Sequence, residues 1–137
     1  MPNILATVLL SLAAVTSGGV PPDVVSVVSG GYWESGGNSG TYRVVVVNSG
    51  FEHVTSRVFV EWVSEPRSAH DSARVISAVE PMLPFGQGTA SLTATLKPMS
   101  CDKVQVLVSG VISTAPEQAV SATITATAPG QAYSNGG

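Results

Sequence analysis

The feature of this sequence that most constrains its fold is a strict two-residue alternation of apolar and polar side chains. In residues 89–97, alanine and leucine alternate with serine and threonine, and residues 119–127 alternate in the same way. Successive side chains of a β-strand point to opposite faces, so this pattern predicts strands with one buried face and one face in water. The wet faces of both strands carry hydroxyl groups rather than charges.

Segments typical of β-strands recur at short intervals along the chain. They are rich in valine and threonine, whose branched Cβ atoms suit a pleated strand, and turn residues separate them. On one segment Val58, Val60 and Trp62 share a face, opposite a face of charged and aromatic side chains. The predicted strands are residues 24–28, 41–47, 54–63, 74–80, 89–97, 103–112 and 119–127.

These strands predict an all-β domain of two antiparallel sheets packed face to face. A small closed β-barrel is the alternative architecture. The valine run at residues 44–47 does not alternate, which predicts a central strand covered on both faces. We divide the chain into an apolar N-terminal arm or signal-like segment (1–21), a sandwich domain (22–128) and a C-terminal tail (129–137).

Three stretches of the sequence resemble a known family of modules. Residues 40–50 (GTYRVVVVNSG) form a strand and turn, the next strand ends near Trp62, and residues 83–88 (LPFGQG) precede an alternating strand. This pattern resembles bacterial immunoglobulin-like, cell-adhesion-related repeats, although the paired cysteines of antibody-type domains are missing. The resemblance implies a seven-stranded antiparallel immunoglobulin-like β-sandwich and no catalytic activity. Phage particle proteins use the same fold, so the resemblance leaves the biological context open.

The N-terminal arm contains a mostly apolar run at residues 4–15. The run is as long as the core of a signal peptide, but no lysine or arginine precedes it. It is shorter than the roughly 20 apolar residues that a membrane-spanning helix needs. Three interpretations stay open: an arm packed on a neighbouring subunit, a signal peptide, or a membrane anchor. The side chains that we expect to contact a partner are Ile4, Leu5, Val8, Leu9 and Leu12.

The composition excludes several classes of protein. Only 11% of the residues are charged, against about 25% in soluble proteins, which argues against a charge-rich disordered chain. Six basic residues and a formal net charge of -3 argue against a nucleic-acid binder, which needs clustered lysine and arginine. A single cysteine permits neither an intramolecular disulfide nor a cysteine-built zinc site.

No catalytic constellation emerges from the polar residues. His70, Asp71 and Ser72 are consecutive, whereas a catalytic triad needs groups that come together in space, so we expect a solvated loop. His53 is expected on a surface turn, and Cys101 is expected to be a small, semi-buried residue. The carboxylates are scattered and do not form a calcium loop. We therefore expect no enzymatic activity, no metal and no cofactor.

The glycine-rich residues 30–40 lack the lysine and the helix of a phosphate cradle, so we interpret them as a flexible connection between two strands. Tyr32 and Trp33 lie at its start, and aromatic side chains there point to a contact with a partner or a sugar. The alternative is that Trp33 closes the end of the sandwich core.

Two functional hypotheses follow from these patterns. The first is a structural virion protein, such as a phage capsid decoration (cement) protein, that contacts copies of itself and a capsid or other shell protein. It would form a homo-oligomer, with a trimer as our guess, and would bind no nucleic acid and span no membrane. The second is a secreted or cell-surface immunoglobulin-like module for adhesion or carbohydrate binding, with residues 1–17 as its signal.

Overall fold

A computed structural model describes residues 20–135, which form eight β-strands and no helix. The strands are β1 (Val24–Ser35), β2 (Asn38–Ser49), β3 (Thr55–Ser64), β4 (Arg74–Val79), β5 (Ala90–Ser100), β6 (Lys103–Ile112), β7 (Ala115–Ala126) and β8 (Ala132–Asn135). They build two four-stranded antiparallel sheets, sheet A in the order β1-β2-β3-β4 and sheet B in the order β5-β6-β7-β8. The prediction of an all-β fold made of two antiparallel sheets is confirmed.

The prediction of seven strands is wrong, because the segment predicted as a C-terminal tail contributes β8. Gln131 N donates to Ala128 O over 2.9 Å, and this turn reverses the chain after β7. Ala132 then pairs with Ala126, and Tyr133 pairs with Thr125. A strand of four residues is too short for alternation to be visible, so only the pairing with β7 reveals it.

Every strand neighbours the strand that precedes or follows it in the chain, so each sheet is a simple meander. Immunoglobulin domains distribute their strands between the sheets by Greek-key connections instead. The immunoglobulin-like part of the prediction is therefore not confirmed. Residues 80–89 make the single connection from sheet A to sheet B, and they lead from β4 at the edge of one sheet to β5 at the edge of the other.

The glycine-rich segment is a tight hairpin and not a flexible connection. β1 continues through Gly30 and Gly31 to Ser35, with an irregular register between Gly30 and Trp33. Ser35 pairs with Asn38, which leaves only Gly36 and Gly37 in the turn, at φ values of 57° and 82°. Two-residue hairpin turns of this kind require positive φ, and glycine adopts it without a steric penalty.

The core lies between the inner faces of the two sheets. Sheet A contributes its bulky side chains, and sheet B contributes mostly valine and alanine, so large and small residues face one another. The fully buried aromatic residues are Trp33, Tyr42 and Trp62. Tyr42 Oη and Trp62 Nε1 both donate to the carbonyl oxygen of Thr127, over 2.8 and 2.9 Å, and so tie sheet A to the end of β7.

Ser56 makes a second polar link between the sheets. It is 1% exposed, accepts a hydrogen bond from Leu92 N over 2.9 Å, and donates to Asn48 Oδ1 over 2.6 Å. Because Leu92 lies on β5 and Ser56 on β3, this hydroxyl fixes the position of sheet B on sheet A. The buried faces predicted for residues 89–97 and 119–127 are confirmed by the burial pattern, and Val58, Val60 and Trp62 of β3 are all buried.

Candidate interaction surfaces

Trp33 and Tyr32 are neighbours on β1, and they differ in burial. Trp33 is completely buried and its Nε1 donates to Thr41 O over 2.9 Å, so it belongs to the core and is not exposed to a partner. Tyr32 is 40% exposed, and its backbone oxygen accepts a hydrogen bond from Asp102 N over 2.8 Å. Of this aromatic pair, only Tyr32 remains a candidate contact residue, beside the turn between β5 and β6.

The loop around His70 is held by backbone hydrogen bonds to the carboxylate of Asp71. Asp71 Oδ2 accepts from Arg67 N over 2.9 Å, and Asp71 Oδ1 accepts from Ser72 N over 2.8 Å. These backbone hydrogen bonds lower the pKa of the Asp71 carboxyl, since they stabilise its ionised form. His70 and His53 are both exposed. The structure thus gives Asp71 a loop-forming contact, and it places His70 in the solvated loop that the sequence predicts.

Cys101 is exposed, which corrects the prediction of a semi-buried residue. It precedes Asp102, which adopts a φ of 64°, and Asp102 Oδ1 accepts from Glu34 N over 2.6 Å. The pKa of the Cys101 thiol is raised, first by desolvation and then by the negative charges of Asp102 and Glu34. A thiol with a raised pKa is mostly protonated at neutral pH and is a weak nucleophile.

Two carboxylates on or beside sheet A pair with arginines. Arg43 Nε lies 2.6 Å from Glu61 Oε1, directly opposite it in the register of β2 and β3, and Arg57 pairs with Glu80 over 2.7 Å. Within residues 20–135 no group of three or more histidine, cysteine, aspartate or glutamate side chains is placed to hold a metal ion.

The outer face of sheet B is rich in hydroxyl groups, and we call it the hydroxyl face. Its hydroxyl side chains are Ser91, Thr93, Thr95, Ser109, Ser121, Thr123 and Thr125. Thr93, Ser109 and Ser121 are directly opposite one another on three neighbouring strands, and the adjacent row places Leu107 between Thr95 and Thr123. These two rows carry no charge, whereas the row of Thr125 also contains Lys97 and Gln105. The alternation in the sequence predicts the parts of this surface that lie on β5 and β7.

A groove of about 400 Å³ follows the middle of the hydroxyl face. Thr93, Thr95, Ser109 and Thr123 contribute to its walls, and Leu107, which is 46% exposed, lies within it. The groove combines hydroxyl donors and acceptors with the apolar side chains of Leu107, Val108 and Ala122. Such a surface suits an extended contact with another protein better than an enclosed small-molecule site, which is concave and mostly apolar.

The outer face of sheet A has a different chemistry, and we call it the apolar face. Its apolar side chains are Val27, Val45, Val47, Phe59, Val63 and Val75, and the ion-paired Arg43 and Glu61 lie on the same face between Phe59 and Val63. Val27 and Val75 are 47% and 44% exposed, and the other four are half-buried. The sequence predicts that residues 44–47 are covered on both faces, but residues 20–135 cover only the inner side chains Val44 and Val46.

A third surface lies where β4 and β8 approach each other at the sandwich edge. It is a groove of about 380 Å³ lined by Val79, Pro81, Met82, Ala132 and Tyr133, among others. Met82 is 73% exposed and Tyr133 is 61% exposed. The sequence does not predict this groove, because it depends on β8, which has no visible pattern of its own.

The predicted contact residues Ile4, Leu5, Val8, Leu9 and Leu12 lie outside the described residues 20–135. Residues 20–135 contain no helix that is long and apolar enough to cross a membrane. The chain matches no protein-family model, and no curated protein or solved structure is significantly similar to it.

Proposed function

We propose that this protein is a structural subunit of a multi-subunit assembly, a virion protein of the capsid-decoration kind that acts through contacts rather than chemistry. The observation that supports this most directly is the hydroxyl face, whose two central rows cross three neighbouring strands without a charge. The partners are copies of the same chain and a capsid or other shell protein, with a trimer as the expected order of self-association.

Burying the hydroxyl face in an interface costs little free energy. Burying an unpaired charge costs far more than burying a hydroxyl group, which can donate or accept a hydrogen bond across an interface. Serine and threonine also lose little side-chain entropy when they become ordered, in contrast to lysine and glutamate. A face built from Thr93, Thr95, Ser109 and Ser121 is therefore inexpensive to desolvate.

The size of the face sets the strength of a single contact. Three strands about 4.8 Å apart and the four residue steps from Ser91 to Thr95, of about 3.4 Å each, cover roughly 200 Å². A stable interface usually needs about 800 Å² from each partner. One copy therefore binds weakly, and the proposed stabilisation of a particle comes from many such contacts formed together, since linked binding events reinforce one another.

The test compares one substitution on the hydroxyl face with the same substitution elsewhere. Thr95→Arg places a charged side chain in the middle of the hydroxyl face, while Thr114→Arg places it on the exposed turn between β6 and β7. Sedimentation velocity of the full chain at increasing concentration is expected to show self-association. Thr95→Arg should raise the concentration needed for it at least tenfold, and Thr114→Arg should not change it.

Two results would contradict this function. One is a full chain that stays monomeric at millimolar concentration and binds no particle. The other is equal behaviour of Thr95→Arg and Thr114→Arg, which would remove the hydroxyl face from the interface.

The alternative function is a secreted or cell-surface immunoglobulin-like module for adhesion or carbohydrate binding. The apolar run at residues 4–15 favours it through its signal-peptide length, and the exposed Tyr32 offers an aromatic surface to a sugar. Mass spectrometry of the native protein separates the two functions. A mature chain that starts at Gly18 supports secretion, and an intact N-terminal segment supports the particle protein.

A further inference from the structure

We propose that the free edge of β1 pairs with the same edge of a second copy of this chain. The two β1 strands run antiparallel about a two-fold axis and join the two copies of sheet A into one eight-stranded sheet. This goes beyond the proposed function and does not depend on it, because edge pairing needs neither a particle nor the hydroxyl face. The two contacts lie on different sheets, so one copy can make both.

The backbone of β1 has hydrogen-bonding groups that point away from β2. Asn48 N donates to Asp23 O over 2.9 Å, and backbone groups alternate sides along a strand, so the even-numbered residues of β2 face β1. From residue 26 to residue 30 of β1 they lie opposite even-numbered partners, which leaves the N–H and C=O groups of Val27 and Ser29 directed outward. Within residues 20–135 no strand pairs with β1 on that side.

The other three edge strands carry features that discourage pairing with another chain. β8 has only four residues, β4 has six and begins with Arg74, and β5 contains Lys97 and Pro98. Short edges, charged side chains and proline are common protections of exposed sheet edges. β1 has twelve residues and neither a charge nor a proline from Val24 to Trp33. Its two register irregularities lie outside residues 26–30, so this stretch is regular and open to pairing.

The side chains beside this edge match a second copy of themselves. Val27, Val45 and Phe59 are directly opposite one another on β1, β2 and β3, and Val27, which is 47% exposed, ends this row at the open edge. A two-fold axis at Val27 places this residue opposite its own copy, and each Val27 N–H then donates to the Val27 oxygen of the other chain. The row continues as six apolar side chains across both copies, and such cross-strand pairs stabilise a sheet.

The small area of this contact predicts a weak dimer. Residues 24–29 extend about 20 Å and the two sheets are about 10 Å apart, so each copy contributes roughly 200 Å². A stable interface usually needs about 800 Å² from each partner. The pairing is therefore expected to depend strongly on protein concentration, which makes it measurable.

Amide hydrogen exchange of the full isotope-labelled chain, followed by NMR, tests the pairing residue by residue. An unpaired N–H at a sheet edge exchanges quickly, and a paired one is protected. We compare two protein concentrations a hundredfold apart. The N–H groups of Val27 and Ser29 should exchange at least fivefold more slowly at the higher concentration.

Ala78 on the edge of β4 is the internal control. It lies opposite Glu61, whose backbone groups face β2, because Glu65 N, four residues further along, donates to Ser39 O on that side. The N–H of Ala78 therefore also points outward, and its exchange rate should be the same at both concentrations.

Two matched substitutions add a second test. Val27 and Val75 are both outward-facing valines on edge strands of sheet A, 47% and 44% exposed. Val27→Lys places like charges opposite each other across the axis and should abolish the slowing at Ser29, whereas Val75→Lys should leave it unchanged. If Val27→Lys does not fold, the exchange rates of the wild-type chain still decide the question.

The Thr95→Arg chain separates this contact from the hydroxyl face. The slowing at Val27 and Ser29 should persist in it, so a failure of the hydroxyl-face contact leaves the edge pairing intact. Loss of the slowing in Thr95→Arg would overturn the independent edge contact.

Three further outcomes would overturn the edge pairing itself. Fast exchange of Val27 and Ser29 at both concentrations would show an edge that stays open. Slow exchange at both would show an edge already covered within one chain. Equal effects of Val27→Lys and Val75→Lys would show that β1 is not the edge involved.

Discussion

Replacing Tyr42 by phenylalanine tests the link between sheet A and the end of β7. The ring of Tyr42 is fully buried, with its centroid 6.0 Å from that of Trp62, and its hydroxyl donates to Thr127 O over 2.8 Å. Phenylalanine keeps the ring and removes only this hydrogen bond. Trp62 Nε1 still donates to the same oxygen over 2.9 Å, so no buried acceptor is left unpaired.

The expected cost of Tyr42→Phe at neutral pH is therefore small. A hydrogen bond contributes about 0.5–1.5 kcal/mol net, and the larger penalty for an unpaired buried group does not apply here. We expect the free energy of unfolding to fall by about 1 kcal/mol at pH 7. Urea denaturation followed by tryptophan fluorescence measures this, and Tyr133→Phe, on a side chain that is 61% exposed, is the matched control.

The same substitution has a second and more distinctive effect at alkaline pH. Burial raises the pKa of Tyr42 from 10.0 to about 12, and the negative charges of Asp102 and Cys101 add to this. Between these values the unfolded chain releases the phenolic proton while the folded chain keeps it. The stability from this group is complete below pH 10 and is lost as the pH rises toward 12, by about 1.4 kcal/mol at pH 11.

Tyr42→Phe removes this pH-dependent contribution. The difference in the free energy of unfolding between wild type and variant should therefore shrink or reverse between pH 9 and 11. The comparison isolates Tyr42 because the other titrating groups are common to both chains. An equal decline of the two proteins from pH 9 to 11 would refute the argument from burial. A loss of more than 3 kcal/mol at pH 7 would refute the argument that Trp62 keeps the Thr127 carbonyl satisfied.

Four further substitutions are expected to lower the urea midpoint for different reasons. Ser56→Ala leaves the buried N–H of Leu92 unpaired and should cost about 2–3 kcal/mol, and a smaller loss would exclude the proposed link between the sheets. A Cβ atom at Gly110 would lie 1.8 Å from Ser91 O, so Gly110→Ala should cost about 3 kcal/mol or more. A Cβ atom at Gly37 meets no neighbouring atom, so Gly37→Ala is opposed only by the positive φ and should cost about 1–2 kcal/mol. Trp33→Ala should cost about 3–5 kcal/mol, since the ring is completely buried, and a change below 1 kcal/mol would contradict its place in the core.

The bounds of β4 and β6 agree best with the sequence prediction, whereas the strictly alternating residues 89–97 and 119–127 belong to strands that extend further, to Ser100 in β5 and back to Ala115 in β7. Residues 103–112 are predicted with the same bounds as β6, and the valines at 104, 106 and 108 are all buried. The fourth predicted strand, 74–80, differs from β4 by one residue at its end. β1 is seven residues longer than predicted, because Gly30 and Gly31 resemble a turn in the sequence but are absorbed by an irregularity in the pairing with β2.

Some of the candidate surfaces can be predicted from the sequence, and others cannot. The hydroxyl face follows from the sequence, since the serine and threonine residues of β5 and β7 occupy every second position. The groove between β4 and β8 does not, because it requires a strand that only its partner defines. The location of Trp33 was open between core and surface until the register placed it opposite Gly40, where its ring enters the core.

The sequence by itself determined where seven of the eight strands lie and, where side chains alternate, which of them share the buried face, because the alternation of side chains is a local property of an extended backbone. Only the tertiary structure decided the order of the strands in each sheet, the existence of β8 and the exposure of the apolar face. These depend on pairing and packing between segments far apart in the chain, such as β3 with β5, and no pattern within one strand specifies its partners.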